Sequence, residues 1–379
     1  MVIKRMIDRY FCEETGIGVN LKLVTANTLL PSVLSGVGPD VSLLNTQDIA
    51  VDFALRGASM ELNGFDTFGD VMARFKPSAY ESLTFKDKVY GLPETQTFYM
   101  FFYRKDIFQQ YDLTPPKTFH DLIVLIPELQ KRNMQIGFPV GMVGYSTLMY
   151  QLGEPLYVND GERSNINSDK SIEAFSTLTE LFTDYKFPVN YNFATRFRSG
   201  EMPCAIMSYA DTYNQLTLFA PEIKGLWDFV PLPGLEAEGE ANNMSFSTVS
   251  SAMIMSNTTK AQSAWDFLDW WTRTDTQVRY ANEMEVLIGV GAKQTVANVE
   301  ALSSLSWSRA ELENIYDQWD KTFSLPSVPG SYYYTRVVDF AFNRVYNTNA
   351  DPVETLQSYQ KSLEEELARK REEFGLNVS

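Results

Sequence analysis

The segment Gly36-Val37-Gly38-Pro39-Asp40-Val41-Ser42-Leu43-Leu44-Asn45 decides the fold class of this chain. A loop with glycines and a proline leads directly into a short apolar strand. Polar residues follow that strand before a new helix begins. In an open α/β sheet, ligands bind at the carboxyl ends of the strands. The segment therefore predicts an α/β fold in which hydrogen-bonding side chains meet a small molecule.

Helical and extended patterns alternate around this segment. Apolar side chains recur at helical spacing in residues 2–11, and Gly16 supplies a C-terminal stop. Residues 19–23 alternate between apolar and polar, which is the period of a half-buried strand. Further helices are predicted near residues 29–34 and 49–56. This order predicts a mainly parallel sheet.

The rest of the chain also contains patterns that predict individual strands and helices. Residues 98–103 are apolar on both faces and predict a buried central strand. Thr118 and Asp121 predict a capped helix, which Pro127 should kink or split. The other expected elements are a strand at 136–140, a helix from Tyr145, an acidic surface loop at 235–240, a strand at 247–255 and a last helix that Asp351 caps.

Composition excludes several classes of function. The 379 residues are enough for two domains or one large one, and the formal charge of −16 argues against nucleic acid. No apolar run approaches the ~20 residues that a membrane span needs.

Cys12, Cys204 and the single His120 cannot build the usual metal cluster, although an oxygen-only calcium site stays open. The cysteines are expected to be buried thiols. Met1 leads straight into a helix, so the protein is cytoplasmic or its targeting segment lies outside this sequence.

Eight short motifs occur in one order along the chain. They are Glu13-Glu14-Thr15-Gly16-Ile17, Gly38-Pro39-Asp40-Val41, Tyr90-Gly91-Leu92-Pro93, Tyr103-Arg104-Lys105-Asp106, Pro116-Lys117-Thr118-Phe119, Phe197-Arg198-Ser199-Gly200-Glu201-Met202, Pro231-Leu232-Pro233-Gly234 and Ala264-Trp265-Asp266-Phe267-Leu268. Each motif alone is weak, but together they cover nearly the whole chain. The chain resembles the family 1 extracellular solute-binding proteins of ABC importers, the maltose-binding-protein-like group.

The resemblance implies a two-lobed α/β fold of the type II periplasmic-binding-protein kind, with discontinuous lobes and a crossover hinge. The N-terminal lobe would be residues 1–97 plus 247–300, and the C-terminal lobe 98–246 plus 301–379. A carbohydrate, expected to be an oligosaccharide, would be held in the cleft by hinge closure and delivered to the membrane subunits of an ABC permease. The resemblance also implies an extracellular, non-catalytic monomer that needs no cofactor and is anchored at the outer face of the cell membrane as a lipoprotein.

Three features depart from the family pattern. The chain starts in the first helix, whereas members usually open with a strand, so a central strand is missing or comes from sequence outside this chain. Phe119 stands where a tryptophan is usual. The lipid-anchoring cysteine motif is absent, so anchoring is expected from the resemblance alone.

A sugar site needs flat aromatic side chains for the ring faces, with amides, carboxylates and arginine for the hydroxyls. The positions that the resemblance assigns to ligand binding are Asn45, Gln47, Glu94, Gln96, Thr97, Tyr145, Tyr209, Asp211, Tyr213, Ser245, Phe246, Tyr333, Tyr334 and Arg336. If residues 332–334 are extended, Tyr332 and Tyr334 share one face and Tyr333 takes the other.

Each of these positions also has a structural explanation. A tyrosine at a strand end can be a half-buried core residue, Asp211 can cap its helix, and Glu94 can pair with a lysine. The tryptophans Trp227, Trp265, Trp270 and Trp271 are expected to serve packing.

Two other functions stay open from the sequence. The first is a glycan-active enzyme that uses a carboxylate pair such as Glu94 and Asp211, which would have to lie ~5–9.5 Å apart. The second is the same fold with a non-sugar ligand, either a polyamine or a ferric ion.

Overall fold

The computed structural model describes residues 2–237, 239–289 and 291–376. The chain divides into two compact units. Unit 1 comprises Met1–Thr97, Thr248–Trp307 and Ser324–Val328, and unit 2 comprises Phe98–Ser247, Ser308–Phe323 and Pro329–Ser379. The chain changes unit at residues 97–98, 247–248, 307–308, 323–324 and 328–329, and the first two changes lie within long strands.

Helices and strands alternate along the chain. The first elements are α1 (Val2–Met6), a π-helical segment (Ile7–Phe11), α2 (Cys12–Thr15), α3 (Ala26–Leu34), β1 (Val41–Thr46), α4 (Ile49–Leu55), α5 (Phe68–Met72), α6 (Pro77–Tyr80), a 3₁₀ turn (Glu81–Leu83), β2 (Thr84–Phe85), β3 (Lys88–Val89), β4 (Leu92–Arg104) and α7 (Lys105–Gln110). The middle elements are α8 (Phe119–Gln130), β5 (Ile136–Gly137), α9 (Gly141–Gln151), β6 (Tyr157–Val158), β7 (Arg163–Ser164), α10 (Asp169–Thr183), α11 (Phe193–Ser199), β8 (Cys204–Ser208), α12 (Tyr209–Phe219), a 3₁₀ turn (Pro221–Ile223), β9 (Trp227–Val230), β10 (Leu235–Ala237) and β11 (Glu240–Asn242). The last are β12 (Ser245–Ile254), α13 (Ala261–Thr272), α14 (Thr274–Ile288), α15 (Val299–Ser303), α16 (Arg309–Trp319), β13 (Thr322–Phe323), α17 (Tyr332–Thr348) and α18 (Pro352–Glu373).

In unit 1, an aromatic core joins the first helical segment to α13. Of the apolar stripe in residues 2–11, Val2, Met6, Ile7 and Phe11 are buried and the others are half-buried, and Gly16 ends α2 with a φ of 71°. The ring of Phe11 packs at 5.2 Å from Phe267 and 5.3 Å from Trp270. Burial of such large aromatic side chains is the main stabilising contribution of this core. β12 lies between β1 and β4 in the sheet beside it.

In unit 2, β4 pairs antiparallel with β8 and β9, and β8 pairs parallel with β5. Helices α9, α10, α17 and α18 pack on one another. β1 is also antiparallel to β12. The expectation of a mainly parallel sheet is therefore wrong for β1–β12, β4–β8 and β4–β9, whereas β5–β8 and β12–β13 are parallel. The long strands β4 and β12 come from distant parts of the chain, so they do not obey the βαβ rhythm of the first sixty residues.

Several predicted elements are confirmed. The Thr118–Asp121 capping box opens α8, and Asp351 caps α18 by accepting a 2.8 Å bond from Glu354 N–H. Trp265, Trp270 and Trp271 are buried, whereas Trp227 is only half-buried. Both cysteines are free; Cys204 is buried as expected, whereas Cys12 is only half-buried, so the expectation of a buried thiol is wrong there.

Other predicted elements are wrong. Residues 19–23 pair with no strand among the described residues, and α8 continues through Pro127 without a break. Residues 235–242 form the hairpin of β10 and β11 rather than a loop, with position 238 outside the described residues. Residues 332–334 open helix α17, so the extended alternation does not apply. Among the described residues, no helix combines the length and apolar character that a membrane crossing requires.

Candidate functional site

Strand β4 has a buried face and a half-exposed face in unit 1. Glu94 and Gln96 are buried at 2% and 0% exposure, whereas Thr95 and Thr97 are half-exposed. This follows from the alternation of side chains along a strand. The predicted ligand contacts Glu94 and Gln96 therefore lie on the core side. Gln96 Nε2 donates to Ser78 Oγ at 3.1 Å.

Glu94 accepts hydrogen bonds on both carboxylate oxygens. The indole Nε1 of Trp271 donates to Oε1 at 2.6 Å, and the Leu44 N–H donates to Oε2 at 2.5 Å. Burial raises the pKa of the Glu94 carboxyl to about 7, and these two bonds oppose that rise. The described contacts of Glu94 contain no lysine, so two neutral donors stand in place of the lysine that was the alternative partner.

Three residues with hydroxyl groups occupy neighbouring positions on β1, β12 and β4, and the hydroxyl of the first, Thr46, donates to Asp48 Oδ1 at 2.7 Å. Thr46 is the register partner of Ser250, and Ser250 Oγ lies 2.7 Å from Thr95 Oγ1. We call Thr46, Ser250 and Thr95 the hydroxyl row. Thr46 is exposed and the other two are half-exposed. Such a row can donate to and accept from the hydroxyls of a ligand, because a hydroxyl carries one donor and two lone pairs.

The predicted residues Asn45 and Gln47 are half-exposed and tie the end of β1 to β12. Asn45 Nδ2 donates to the Ser251 carbonyl at 2.9 Å, and Asn45 Oδ1 accepts from Ser42 at 2.8 Å. Gln47 Oε1 accepts from Val249 N–H at 3.1 Å. Part of the hydrogen-bonding capacity of both amides is thus used within unit 1.

Three predicted aromatic platforms in unit 2 are core residues. Tyr145, Tyr209 and Tyr334 are at most 1% exposed. Tyr145 packs edge-on against Phe175 at 5.6 Å, and Tyr334 bonds to Ser146 through its hydroxyl. A sugar needs an open ring face, so burial contradicts direct stacking on these rings.

Ser245 and Phe246 are also buried, at 0% and 2% exposure. Ser245 Oγ accepts from the Tyr99 N–H at 3.0 Å and donates to the Tyr99 carbonyl at 2.9 Å. Phe246 packs against Phe323 at 5.8 Å. Both residues stabilise the strand junction of unit 2, and neither presents a surface for a ligand.

The remaining predicted residues of unit 2 keep accessible surface. Asp211 is exposed in the first turn of α12 and accepts a 2.8 Å bond from the hydroxyl of Ser208, which is the N-cap residue of that helix, so Asp211 is not the cap. Tyr213 and Tyr333 are half-buried, and the exposed Arg336 lies 5.7 Å over the Tyr333 ring.

Sequence reasoning missed Tyr99 and Tyr191, which are half-exposed residues of unit 2. Burial and the Asp211 carboxylate raise the pKa of Tyr99, while burial and Tyr99 raise the pKa of Tyr191 to about 12. These couplings connect Tyr99, Tyr191 and Asp211, and Tyr99 pairs with Ser208 on β8. We call Tyr99, Tyr191, Ser208 and Asp211 the tyrosine–aspartate group. Side chains alternate along β4, so Tyr99 follows Thr95 and Thr97 on the accessible face. This alternation is the sequence signal that could have identified Tyr99.

Within residues 2–237, 239–289 and 291–376, no group of three or more His, Cys, Asp or Glu side chains is placed to hold a metal ion. The accessible groups described above are hydroxyls, amides, phenols, one carboxylate and the guanidinium of Arg336. This set is suited to neutral, hydroxyl-rich ligands.

Comparisons with known proteins agree on one family. The family described as bacterial extracellular solute-binding protein matches residues 2–278. The chain is 24% identical over 281 residues to the maltotriose-binding protein of Pyrococcus abyssi, and the match covers 72% of this chain and 59% of that relative. The match thus spans less than two thirds of the length of that relative.

Solved structures share the fold. The sugar-binding protein MalE of Xanthomonas citri aligns with a TM-score of 0.83 at 16% identity, covering 99% of this chain and 96% of MalE. An extracellular solute-binding protein of Staphylococcus aureus in complex with maltose aligns with a TM-score of 0.77 at 16% identity, covering 96% and 93%. These similarities confirm the predicted α/β, periplasmic-binding-protein-like fold. With the family match over residues 2–278, they show that this chain belongs to the bacterial extracellular solute-binding proteins.

Proposed function

We propose that this protein captures a carbohydrate outside the cell and delivers it to the membrane subunits of an ABC importer. The observation that carries the proposal is the hydroxyl row of unit 1, because paired hydroxyls on neighbouring strands match the hydrogen-bonding pattern of a sugar edge. The ligand is proposed to be an oligosaccharide, and the protein is proposed to act as a monomer held at the outer face of the cell membrane.

Similar proteins support this choice of ligand. The relative from Pyrococcus abyssi is named for maltotriose, and the Staphylococcus aureus structure contains maltose. A solute-binding protein of Thermotoga lettingae, which aligns with a TM-score of 0.73 at 18% identity, contains α-D-tagatose. The proposal therefore covers carbohydrates as a class.

The proposed ligand contacts are the accessible residues. In unit 1 they are Thr46, Thr95, Ser250, Asn45, Gln47 and Thr97. In unit 2 they are Tyr99, Tyr191, Ser208, Asp211, Tyr213, Tyr333 and Arg336. Units 1 and 2 are proposed to act as the two lobes. Hinge closure around the ligand is proposed from the resemblance to the family.

The protein is proposed to bind its ligand without changing it. Glu94 is the acidic partner that a glycosidase mechanism would have used, and its buried carboxylate is occupied by Trp271 and Leu44. The general acid of a glycosidase must reach the leaving oxygen of the substrate. The buried position of Glu94 therefore favours capture over hydrolysis.

A thermal-shift screen tests the proposal. Maltose, maltotriose, longer maltodextrins, tagatose and unrelated oligosaccharides are added at increasing concentration. A true ligand stabilises the folded state by about 4 kcal/mol at a thousandfold excess over Kd. We expect a selective rise in Tm, with the sugar recovered intact by chromatography. Absence of any shift, or hydrolysis of the sugar, would contradict the proposal.

Small-angle X-ray scattering tests the closure. A sugar that stabilises the protein should also lower its radius of gyration, because only a ligand with higher affinity for the closed state shifts the equilibrium. Binding at an unchanged radius of gyration would retain sugar capture and reject hinge closure.

A further inference from the structure

Leu44 has an unusual backbone conformation for its residue type. Its φ is 57°, in the left-handed region, although it lies inside strand β1. This conformation brings Cβ too close to the following carbonyl oxygen, so it is unfavourable for a leucine. The side chain is also 59% exposed, so burial of its own surface does not account for the position. Another contact must hold the backbone there.

The strain coincides with a bulge in the sheet. Ser42 pairs with Met253, but the next recorded pair is Asn45 with Ser251. Two residues of β1 therefore stand opposite the single residue between Ser251 and Met253. A bulge of this kind re-aims the side chains that follow it. Side chains alternate between the two faces of a strand. Without the extra residue, every later side chain of β1 would therefore lie on the opposite face of the sheet.

Glu94 makes the contact that holds the bulge. Its Oε2 accepts from the N–H of Leu44 at 2.5 Å, and its Oε1 accepts from Trp271 Nε1 at 2.6 Å. The backbone of Glu94 is fixed in turn, because its carbonyl accepts from Ala297 N–H at 3.1 Å. One side chain thus joins β1, β4 and α13.

The geometry of the contact is best matched by an ionised carboxylate. Two N–H donors converge on Glu94, one on each oxygen, and a carboxylate is an acceptor at both. A glutamine has one carbonyl oxygen, and its NH2 group would point at the second donor. Burial raises the pKa of Glu94, because the ionised carboxylate is unfavourable in this environment. An uncharged residue of similar volume would avoid that cost in stability.

We propose that Glu94 is a positioning residue for ligand binding. By holding Leu44 in its left-handed conformation, it sets the face on which Thr46 stands beside Ser250. The inference rests on the proposed function, because the hydroxyl row acquires its ligand role there. Glu94 itself does not contact the ligand.

A cycle of variants tests the proposal with maltotriose as the probe. Glu94→Gln should weaken binding about tenfold in the Leu44 background, since the strain of a left-handed leucine is no longer opposed. Glycine adopts positive φ freely. In the Leu44→Gly background, the same Glu94→Gln change should therefore weaken binding by less than about threefold. An equal loss in both backgrounds would overturn the proposal.

Stability separates positioning from general packing. Glu94→Gln leaves Trp271 without its full acceptor, so the Tm should fall in both backgrounds. Binding affinity, by contrast, should be largely restored in the Leu44→Gly background.

Variants of Leu44, which leave the buried carboxylate intact, test the proposal if Glu94→Gln does not fold. Leu44→Val should weaken binding about tenfold because β-branched residues tolerate positive φ poorly, while Leu44→Asn should retain binding within about threefold. Equal binding by both variants would overturn the proposal.

Amide hydrogen exchange distinguishes this inference from the choice of ligand. The Leu44 amide should exchange at least about tenfold faster in Glu94→Gln than in the unsubstituted protein, with the Val71 amide of α5 as the reference. If maltotriose does not bind, the ligand choice fails while the exchange measurement still decides whether Glu94 holds the bulge. An unchanged rate for Leu44 would reject the positioning role.

Discussion

The hydroxyls of Thr95 and Ser250 lie 2.7 Å apart, on neighbouring strands of unit 1. Their bond uses one O–H and one lone pair. By the usual capacity of hydroxyls, roughly one donor and three lone pairs remain on the pair. Ser250 is also the register partner of the exposed Thr46. Paired hydroxyls of this kind have a defined orientation before any ligand arrives, which lowers the ordering cost of binding.

Removing either hydroxyl should weaken sugar binding. Thr95→Val keeps the shape of the side chain and Ser250→Ala is a small truncation, so the fold should be retained. Each loses one or two hydrogen bonds to the ligand, and we expect a three- to tenfold rise in Kd, or about 1 kcal/mol. Calorimetric titration measures this. Thr28→Val in α3, an exposed threonine outside the row, should leave Kd unchanged, and an equal effect there would reject the row as the site.

The alternation of β4 shows how far sequence reasoning can go. The polar residues after Pro93 predict a ligand contact on this strand, but the alternation of side chains decides which of them are accessible. Glu94 and Gln96 face the core, while Thr95 and Thr97 are half-exposed. The sequence prediction included Glu94, Gln96 and Thr97, of which only Thr97 keeps accessible surface. The burial of Glu94 was not foreseeable, because its two donors come from residues 50 and 177 positions away in the chain.

The tyrosines were harder to assign from sequence. Tyr145, Tyr209 and Tyr334 are core residues, whereas Tyr99 and Tyr191 keep accessible surface. A tyrosine at a strand end is compatible with either environment, and the choice depends on which helix covers it. The capped helices α8 and α18, by contrast, depend on residues three positions apart, so the sequence predicts them well.

Two of the three buried indoles of α13 provide a matched stability test. Trp271 Nε1 donates to the Glu94 carboxylate at 2.6 Å, and Trp265 Nε1 donates to the Thr67 hydroxyl at 2.9 Å. Replacement by phenylalanine removes a similar volume at both positions. Trp271→Phe should lower the free energy of unfolding by about 1–2 kcal/mol more than Trp265→Phe, because a buried carboxylate loses its donor. Urea denaturation measures both, and equal losses would contradict the importance of the Glu94 bond.

Glu94 should also make stability depend on pH. Burial raises its pKa from 4.5 to about 7. The folded state then binds more protons than the unfolded state between these values, so the free energy of unfolding falls as pH rises through this window. The full effect is about 3 kcal/mol. Urea denaturation at about pH 5 and about pH 8 measures it.

Glu94→Gln is the control for this pH dependence. Burial also raises the pKa of Glu81 and Asp339, which contribute with the same sign and remain in the variant. Ion-paired groups such as Glu128 have a lowered pKa and lose their contribution only below the window. The variant should therefore show a smaller fall in stability between the two pH values. A fall of the same size would show that Glu94 does not titrate in this range.

Gly137 on β5 should not tolerate a side chain. A Cβ there would lie 2.7 Å from Ala205 Cβ and 2.8 Å from the Tyr191 hydroxyl. Ala205 is fixed by its strand, so Gly137→Ala should cost about 1–3 kcal/mol of stability and displace Tyr191, weakening sugar binding. Gly69→Ala in α5 meets no atom within 4 Å and should be neutral or stabilising. Unchanged binding in a folded Gly137→Ala variant would remove Tyr191 from the proposed site.

Calorimetric titration of the purified protein with maltotriose, other maltodextrins and tagatose tests the central claim most directly. The account predicts saturable one-to-one binding of at least one sugar, a weaker Kd in Thr95→Val and complete recovery of the sugar after the titration. A protein that binds none of these carbohydrates, or that releases heat continuously as it degrades one, would contradict the account.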